Sequence, residues 1–381
     1  MRVLMISLDR GLLGAPGAGD VLARHVKYGE RVNKFDIIVF SPRGFVPKNA
    51  SQKVDIWPTN SRLRLSRISD AWRIGCAISE RHRPDLIVAQ DPLFTGLVGL
   101  WLKRRFAVPL VVDLHGDFWG NVKYWRESPV YFFCRPIISY VVKRADGLRP
   151  ISAGIAGALR RSGIPDERLA VIPTPVALDR FAKPEATAIE RIRKRWAGIP
   201  IVIFVGRLVK IKNVPMLLEA FAAVRRTHRA ALVMVGDGPE RAALERRAAR
   251  LGVAAQVSFL GRLSQDELAA LYGAAAVTVL VSYAESLGKV LIEAGMAGSP
   301  VIATATTGAQ DIVSDGESGW LVPVGDTAAL TERLAWTLDH PAEAAAVGER
   351  APAVLRQKFD PETVINSMIA FWQRVVSQKS L

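Results

Sequence analysis

Short apolar runs separated by helix-compatible segments constrain the fold of this 381-residue chain more than any other feature. One series begins with RVLMISL at residues 2–8, and a second begins with IVIFVG at residues 201–206. Nearly continuous apolar strands that alternate with helices are typical of parallel sheets covered on both faces. The chain is also longer than the size at which a single hydrophobic core usually stops growing. We therefore predict an α/β protein with two Rossmann-like domains.

The remaining apolar runs predict the positions of the other strands along the chain. In the first half they lie at 35–40, 85–90, 109–116, 144–152 and 169–176, and in the second half at 230–236, 257–261, 276–282, 299–304 and 319–323. The charged, proline-containing stretch 182–200 is expected to be a linker. The predicted domains are 1–185 and 196–360, followed by a terminal helix at 361–381 that returns to the first domain.

The net charge of +15 is confined to the first half of the chain. Residues 1–200 hold 33 Lys and Arg against 18 Asp and Glu, whereas residues 201–381 hold 18 of each. Such an asymmetry indicates an anionic partner for the first half, either a membrane surface or nucleic acid. A solvated basic surface without a partner is the simpler alternative.

Two further features concern compartment and metal. The apolar run after Arg2 is too short for a secretion signal or a membrane span, so a cytoplasmic location is expected. Cys76 and Cys134 lack the spacing of a zinc site or a disulfide framework, and both are expected to be buried thiols.

The segment ESLGKVLIE places Glu285 and Glu293 eight residues apart with Gly288 between them. A helix starting near Val290 would put the first carboxylate on the preceding loop and the second about one turn into the helix. The backbone N–H groups of residues 287–289 would then be available to an anion such as a diphosphate. Two glutamates at this spacing are, taken alone, more often a solvated helix face.

Two other segments follow strands of the second half. Arg207 and Lys212 come directly after the strand that ends at Gly206, where two cations would neutralise two phosphates. Gly236 and Gly238 form a tight strand-to-helix turn that would allow a nucleotide to approach the backbone. Each segment alone is equally compatible with an ordinary basic loop or turn.

The order and spacing of these segments resemble the family-four retaining glycosyltransferases. The resemblance rests on GRLVKIKN, GDGPE, FLGRLSQDEL, ESLGKVLIEA and GAQDIVSDGESGWLVPVGD in the second half. In the first half it rests on the glycine-rich turn with Gly17, Gly19 and Asp20, on the DLHGD segment, and on the ADGLRPIS to VALDRF run. It covers essentially the whole chain and is strongest from Ile201 to Leu330.

The resemblance implies a GT-B fold, in which two Rossmann-like domains face each other across a cleft. It also implies metal-independent, cofactor-free transfer of a hexose from a nucleoside-diphosphate sugar with retention of configuration. No Asp-x-Asp motif is present, and no carboxylate nucleophile is named, because the acceptor is expected to attack with a donor phosphate oxygen as its base.

The resemblance also assigns roles to particular residues. Arg207 and Lys212 would neutralise the diphosphate, Glu293 would bind the ribose hydroxyls, and Glu285 would orient the donor sugar. His115, at the end of a strand beside Asp113, Gly116 and Asp117, would face the transferred sugar. The catalytic set is thus His115, Glu285, Arg207 and Lys212. The nucleotide-sugar set is Gly17, Gly19, Gly206, Arg207, Lys212, Gly236, Gly238, Arg262, Glu285, Leu287, Gly288, Lys289, Val290 and Glu293.

Basic and apolar side chains alternate in three segments of the first half. Residues 62–83 have the composition of a segment lying on a membrane surface, residues 101–106 add a basic-aromatic cluster, and residues 118–133 are rich in aromatics. Packing of these aromatics in the core is an equal alternative. We predict a peripheral enzyme of the inner membrane face that acts on a lipid-linked or glycan acceptor.

Competing interpretations remain open at this stage. The acceptor could instead be a soluble small molecule. A nicotinamide-dependent dehydrogenase lacks support, because no full GxGxxG follows the first strand. A basic nucleic-acid-binding protein is suggested by the charge, but the phosphate-binding candidates lie in the neutral half, so no nucleic-acid partner is expected. Departures from the family pattern at Thr174-Pro175, Val281-Ser282 and Ser286-Leu287 leave the sugar undetermined.

Overall fold

The computed structural model describes residues 1–14, 21–116 and 133–379. These residues form two compact units. The first unit holds the described residues up to Pro175 together with those from Glu362 onward, and the second holds Val176–Pro361.

In the described part of the first unit, seven strands form one sheet. They are β1 (Arg2–Ser7), β2 (Lys34–Val39), β3 (Lys48–Ser51), β4 (Val54–Pro58), β5 (Leu86–Ala89), β6 (Leu110–Leu114) and β7 (Gly147–Pro150). Their order is β3-β4-β2-β1-β5-β6-β7, and every pair is parallel except β3 with β4. The order reverses at β1, so the loops after β1 and β5 diverge at the carboxyl edge of the sheet.

Helices connect the strands of this sheet. They are α1 (Val21–Glu30), α2 (Ser66–Arg81), α3 (Phe94–Phe106), α4 (Arg135–Arg144) and α5 (Ala153–Arg161). The buried carboxylate of Asp91 fixes the start of α3, because it accepts the N–H groups of Leu93, Phe94 and Thr95 at 2.7, 2.8 and 3.0 Å.

The second unit contains a six-stranded parallel sheet. Its strands are β8 (Ile201–Val205), β9 (Ala231–Val235), β10 (Val257–Gly261), β11 (Val277–Leu280), β12 (Val301–Thr304) and β13 (Trp320–Val322). The order is β10-β9-β8-β11-β12-β13, so β8 is the strand at which the order reverses. All residues of β8, β9 and β11 are buried, as expected for strands covered by helices on both faces.

The helices of the second unit are α6 (Leu178–Ala182), α7 (Ala186–Arg195), α8 (Val214–Val224), α9 (Arg241–Arg250), α10 (Gln265–Ala274), α11 (Lys289–Met296), α12 (Thr307–Ile312), α13 (Thr327–Asp339) and α14 (Pro341–Phe359). A capping box starts α10, since the Ser264 hydroxyl accepts the Glu267 N–H and the Glu267 carboxylate accepts the Ser264 N–H.

The last helix, α15 (Pro361–Lys379), completes the core of the first unit. The Trp372 ring is fully buried, with its centroid 5.9 Å from that of Tyr28 and 6.0 Å from that of Phe35. A Cβ atom at Gly147 on β7 would lie 2.7 Å from the nearest methyl group of Val375, so glycine is needed for this helix to approach the sheet.

The strand expected at 169–176 is wrong. This segment forms an isolated bridge between Leu148 and Leu169, and the N–H groups of Ala170 and Ile172 donate to the carbonyls of Leu148 and Pro150, but no regular strand results. Pro173 and Pro175 have no N–H to donate, which prevents a regular ladder in the second half of the segment.

The expectations for stretch 182–200 and for Cys134 also fail. Stretch 182–200 is not an open linker, because it contains α7, whose Ile189 packs against Gly273 of α10. Strand β3 was not predicted, because its residues are mostly polar and it lies at the edge of its sheet. Cys76 is buried as expected, whereas Cys134 is half-buried.

Candidate active site

The loops after β8 and β11 open the crevice in which the strongest sequence candidates lie. In open parallel sheets, ligands bind outside the carboxyl ends of the strands where the strand order reverses. GRLVKIKN follows β8 and the ESLG segment follows β11, so the fold brings two segments together that are more than 70 residues apart in sequence.

Lys212 and Glu285 form an ion pair across this crevice. Lys212 Nζ donates to Glu285 Oε1, and the Ser282 hydroxyl donates to the same oxygen at 2.6 Å. The two charged side chains are only 16% and 12% exposed. The Tyr283 N–H also donates to the Ile211 carbonyl at 2.8 Å, which ties the two loops together. An ammonium and a carboxylate are thus fixed side by side at the carboxyl ends of β8 and β11.

Gly236 and Gly238 allow two backbone loops to touch. A Cβ at Gly236 would lie 2.0 Å from the Gly206 carbonyl oxygen, and one at Gly238 would lie 2.3 Å from that of Leu208. Gly236 also has a φ of +123°, which disfavours other residues. In the structure these glycines therefore make room for the loop after β8. Their contact with a nucleotide stays a prediction.

The helix predicted from the ESLGKVLIE segment is α11, which begins at Lys289, one residue before the expected Val290. Gly288 precedes it in the left-handed region, with a φ of +80°. The preceding loop rests on the turn at 306–308, where the Gly308 N–H donates to the Glu285 carbonyl at 3.0 Å. A Cβ at Gly308 would lie 2.6 Å from Leu287 N, so this glycine permits the contact.

Glu293 lies one turn into α11, as expected, and contacts a buried phenol. The Tyr272 hydroxyl on α10 donates to Glu293 Oε2 at 3.3 Å. Burial, followed by the charge of Glu293, raises the pKa of Tyr272 well above its usual value of 10.0. The phenol therefore remains a hydrogen-bond donor throughout the physiological pH range, and its hydrogen bond holds the Glu293 carboxylate in place.

The two arginine candidates are exposed and lie apart along the sheet. Arg207 follows β8, at the crevice itself. Arg262 follows β10, the edge strand two positions from β8. The structure thus places Arg207 beside the Lys212 loop, and Arg262 at the outer end of the same carboxyl edge.

In the first unit, His115 follows β6 and is held near a buried ion pair. Its Nε2 lies 3.9 Å from Asp113 Oδ2, which also accepts a hydrogen bond from Arg149 Nη1 at 3.0 Å. Arg149 lies opposite Asp113 on β7 and donates to the carbonyls of Ile172 and Pro173 at 3.0 and 2.7 Å. Burial raises the pKa of Asp113, although Arg149 acts in the opposite direction.

A second polar row lies where β1 and β5 end. The Ser7 hydroxyl donates to Gln90 Oε1 at 2.5 Å, and the Gln90 amide lies 3.2 Å from His25 Nε2. Burial, assisted by the charge of Arg24, lowers the pKa of His25 to about 3, so the ring is neutral. His25 Nδ1–H donates to the Val21 carbonyl at 2.7 Å, which leaves Nε2 to accept from Gln90.

Gly17, Gly19, Asp20 and Asp117 lie outside the described residues, as do residues 118–132 of the aromatic segment. The roles expected for them stay predictions.

Comparison with known proteins places both units in one family. The description "Glycosyl transferases group 1" matches residues 188–354, and "Glycosyl transferase 4-like domain" matches residues 34–175. The D-inositol 3-phosphate glycosyltransferase of Streptomyces scabiei is 30% identical over 92% of this chain and 86% of its own length. This chain belongs to the group 1 glycosyl transferases.

One further relative and one solved structure of similar fold are informative. The GDP-mannose-dependent alpha-(1-6)-phosphatidylinositol monomannoside mannosyltransferase of Mycolicibacterium smegmatis is 32% identical over 84% of this chain and 85% of its own length. The crystal structure of Anabaena HepE in complex with UDP-glucose has a TM-score of 0.78 and 21% identity, covering all of both chains. The predicted family and the GT-B fold class are confirmed.

Family membership also establishes the reaction in outline. The transferase is a retaining enzyme that moves hexoses from nucleotide-sugar donors. Within the described ranges, no helix is both long and apolar enough to span a membrane. No cluster of three or more potential metal-ligating His, Cys, Asp or Glu side chains occurs in the described part of the transferase.

Several residues of the site were missed at the sequence level. Tyr272 lies within a largely apolar helix, where nothing in the sequence marks it as functional. Ser282 was noted only as a departure from the family pattern. Gln90 was predicted to be part of a strand, although a polar residue at the end of a strand can indicate a binding site. Arg149 within the apolar run GLRP was a similar signal, because an arginine in a buried strand requires a partner.

Proposed function

We propose that the transferase moves a hexose from a nucleoside-diphosphate sugar to a lipid-linked acceptor in the assembly of a cell-surface glycan or glycolipid. The observation that carries the choice of acceptor is the segregation of charge. The excess of +15 lies in residues 1–200, whereas the donor-site candidates lie in the neutral half. The mycobacterial relative is named for a phosphatidylinositol monomannoside acceptor, which supports the same choice.

For the donor, Lys212 and Arg207 neutralise the leaving diphosphate, with help from the backbone at 287–290. Glu285 orients the donor sugar through its hydroxyls, and its pairing with Lys212 keeps its carboxylate in place before the donor binds. Glu293 binds the ribose hydroxyls. His115 contacts the transferred sugar, and a donor phosphate oxygen takes the acceptor proton.

The test is calorimetric titration, in EDTA, with UDP-, GDP-, ADP- and dTDP-sugars, followed by transfer assays. We expect one nucleotide sugar to bind without added metal, and radiolabel from it to enter the lipid fraction of a membrane extract. A protein that binds no member of this panel, with or without the extract, would refute the donor site. Label that enters only water-soluble products would refute the lipid-linked acceptor.

The Tyr272–Glu293 contact makes a prediction about the ribose. Tyr272→Phe removes the hydrogen bond that holds the carboxylate and is expected to weaken binding of the matching nucleoside diphosphate about 5-fold to 10-fold. Binding of the 2′,3′-dideoxy nucleoside diphosphate should be unchanged, since it has no hydroxyls for Glu293. Glu293→Ala should show the same pattern with a larger loss. Equal weakening of both nucleotides would mean that Tyr272 only supports the fold.

A soluble acceptor is the second candidate, and the Streptomyces scabiei relative favours it, since its name specifies D-inositol 3-phosphate. The polar row of Ser7, His25 and Gln90 at the carboxyl edge of the first sheet offers hydrogen-bonding groups that suit a polyol. Transfer to free inositol phosphates or simple sugars at rates equal to those with the membrane extract would select this candidate. In either case we expect the enzyme to work on the cytoplasmic side of the membrane and without a nucleic-acid partner.

A further inference from the structure

Helices α3 and α4 of the first unit expose large apolar side chains on their outer sides. Ile137 and Tyr140 on α4 are 40% and 37% exposed, Phe133 just before α4 is 78% exposed, and Trp101 on α3 is 38% exposed. Phe133, Ile137, Tyr140 and Arg144 are spaced by four, three and four residues, which is the repeat of one helix side. Solvated helices do not normally collect aromatic side chains in this way.

Tyr140 joins the exposed sides of the two helices. Arg104 on α3 donates to the Tyr140 hydroxyl at 2.5 Å, and its guanidinium lies 5.6 Å from the ring centroid. The Arg144 guanidinium lies 3.8 Å from the same centroid. These contacts join Arg104, Tyr140 and Arg144. Trp101 lies one turn before Arg104 on α3, and Phe133 and Ile137 lie on the Tyr140 side of α4. We call the six residues together the α3–α4 face.

The two helices are strongly basic. They carry Lys103, Arg104, Arg105, Arg135, Lys143 and Arg144, and neither helix contains an Asp or Glu. Lys103 pairs with Asp146 and Arg105 pairs with Glu80, both on neighbouring segments. Arg104 and Arg144 lie against the Tyr140 ring, so the positive charge of the α3–α4 face is kept beside its aromatic groups.

We propose that the α3–α4 face docks on an anionic lipid surface. Aromatic rings settle at the level of the lipid headgroups, and arginines beside them attract the acidic lipids. This inference rests on the proposed function, since it identifies the surface on which a lipid-linked acceptor is met.

The position of the two helices in the fold supports this choice. Helix α3 begins shortly after β5 ends, and α4 ends shortly before β7 begins. The first turns of both helices therefore lie toward the carboxyl edge of the sheet, where His115 and the polar row of the first unit are found. Phe133 and Ile137 lie at that end of the α3–α4 face, whereas Arg104 and Arg144 lie in the last turns, toward the opposite edge. A bilayer along the whole length of the face therefore reaches the carboxyl edge through Phe133 and Ile137, where the sugar end of a lipid-linked acceptor is needed.

The segment 62–83, another membrane-contact candidate in the sequence, is less suitable. Its helix α2 buries Ala71, Gly75 and Cys76, and a Cβ at Gly75 would meet Leu102 of α3 at 2.7 Å. Helix α2 also contains Asp70, which pairs with Arg73. The exposed residues at 62–65 precede the helix and include no aromatic, but Leu63 and Leu65 are 70% and 80% exposed. This loop is therefore the rival contact on the same unit, and substitution of its arginines distinguishes the two surfaces.

The test is sedimentation of the full chain with vesicles of phosphatidylcholine alone or with 30% phosphatidylglycerol. We expect the native protein to prefer the anionic vesicles. Arg104→Gln/Arg144→Gln should lower the partition coefficient by about 30-fold, which corresponds to roughly 1 kcal/mol per basic side chain. Arg62→Gln/Arg64→Gln removes the same charge and should change it by less than about 3-fold. Phe133→Ser/Ile137→Ser should abolish the binding that persists at high salt, where charge attraction is screened.

Three outcomes would overturn the proposal: no preference of the native protein for anionic vesicles, an equal loss in the Arg62/Arg64 control, or tighter binding of the α3–α4 face to an oligonucleotide than to vesicles. Urea unfolding followed by a signal from the first unit should give the native midpoint for every variant, which excludes misfolding of that unit. A protein that binds vesicles through this face but no nucleotide sugar would refute the proposed function and leave the docking surface intact.

Discussion

Replacing Lys212 by methionine is expected to lower kcat/KM for sugar transfer by about 1000-fold. Lys212 is the half-buried cation at the strand-order reversal, held against Glu285. Removing one preorganised group that stabilises developing charge costs roughly 100-fold to 1000-fold. Here the change also leaves the Glu285 carboxylate without its cation, where it would repel a diphosphate. Steady-state kinetics with saturating acceptor measures the effect, and most of it should appear in kcat.

Lys210→Met is the matched control, because Lys210 belongs to the same single helical turn but is exposed. It removes the same charge and should change kcat/KM by less than about 3-fold, as for most exposed charges. Lys212→Arg should restore part of the activity, since it returns the cation with a different geometry. If Lys212→Met stays within 3-fold of the native enzyme, or if Lys210→Met is equally impaired, Lys212 does not neutralise the leaving group.

The relative placement of the donor-site candidates could be predicted in part because these residues cluster in the sequence. Glu285 and Glu293 lie on one loop and the helix that follows it, so their relation depends only on where α11 begins. The pairing of Glu285 with Lys212 could not be derived locally, since it depends on β11 lying beside β8. The parallel alternation of strands and helices allowed this pairing but did not specify the strand order.

The first unit was harder to predict, because its site combines residues from four strands. Ser7 ends β1 and Gln90 follows β5, whereas Asp113 and Arg149 lie one residue before the ends of β6 and β7. Ser7 and Gln90 belong to no motif. Their proximity results from the order β1-β5-β6-β7. The buried polar residues in apolar runs were visible in the sequence, but their partners depend on register, which places Asp113 opposite Arg149.

The proposed membrane contact illustrates how little composition alone can decide. Residues 62–83 and 101–106 have similar basic-apolar mixtures, so the sequence did not separate them. The two segments differ in their tertiary packing. Helix α2 packs small residues against α3, whereas α3 and α4 contact each other through Arg104 and Tyr140 and keep aromatic side chains exposed. Burial, rather than composition, decides which basic helix can face a bilayer.

Arg149→Met is expected to lower the free energy of unfolding of the first unit by about 3–5 kcal/mol, the range found when one partner of a buried ion pair is removed. Asp113 and Arg149 are each only 3% exposed. The substitution leaves the Asp113 carboxylate buried without a cation and the carbonyls of Ile172 and Pro173 without their donor. Urea unfolding followed by a signal from the first unit measures the loss. Arg160→Met, which breaks the exposed pair with Asp166, should cost less than about 1 kcal/mol.

The pH dependence of that loss identifies its cause. Burial raises the folded-state pKa of Asp113 above its ordinary 3.8 even with Arg149 present, so the folded state holds this proton more tightly than the unfolded state does. The contribution of Asp113 to the free energy of unfolding therefore falls as the pH rises from 3.8 through the folded-state pKa. Above that pKa, the full cost of burying the ionised carboxylate applies. Without Arg149 that pKa rises further, so the deficit of Arg149→Met should shrink as the pH is lowered toward 4. Asp113→Asn/Arg149→Met should recover most of the loss at pH 7. A deficit that is independent of pH, and that the second substitution does not relieve, would assign the loss to the carbonyl contacts alone.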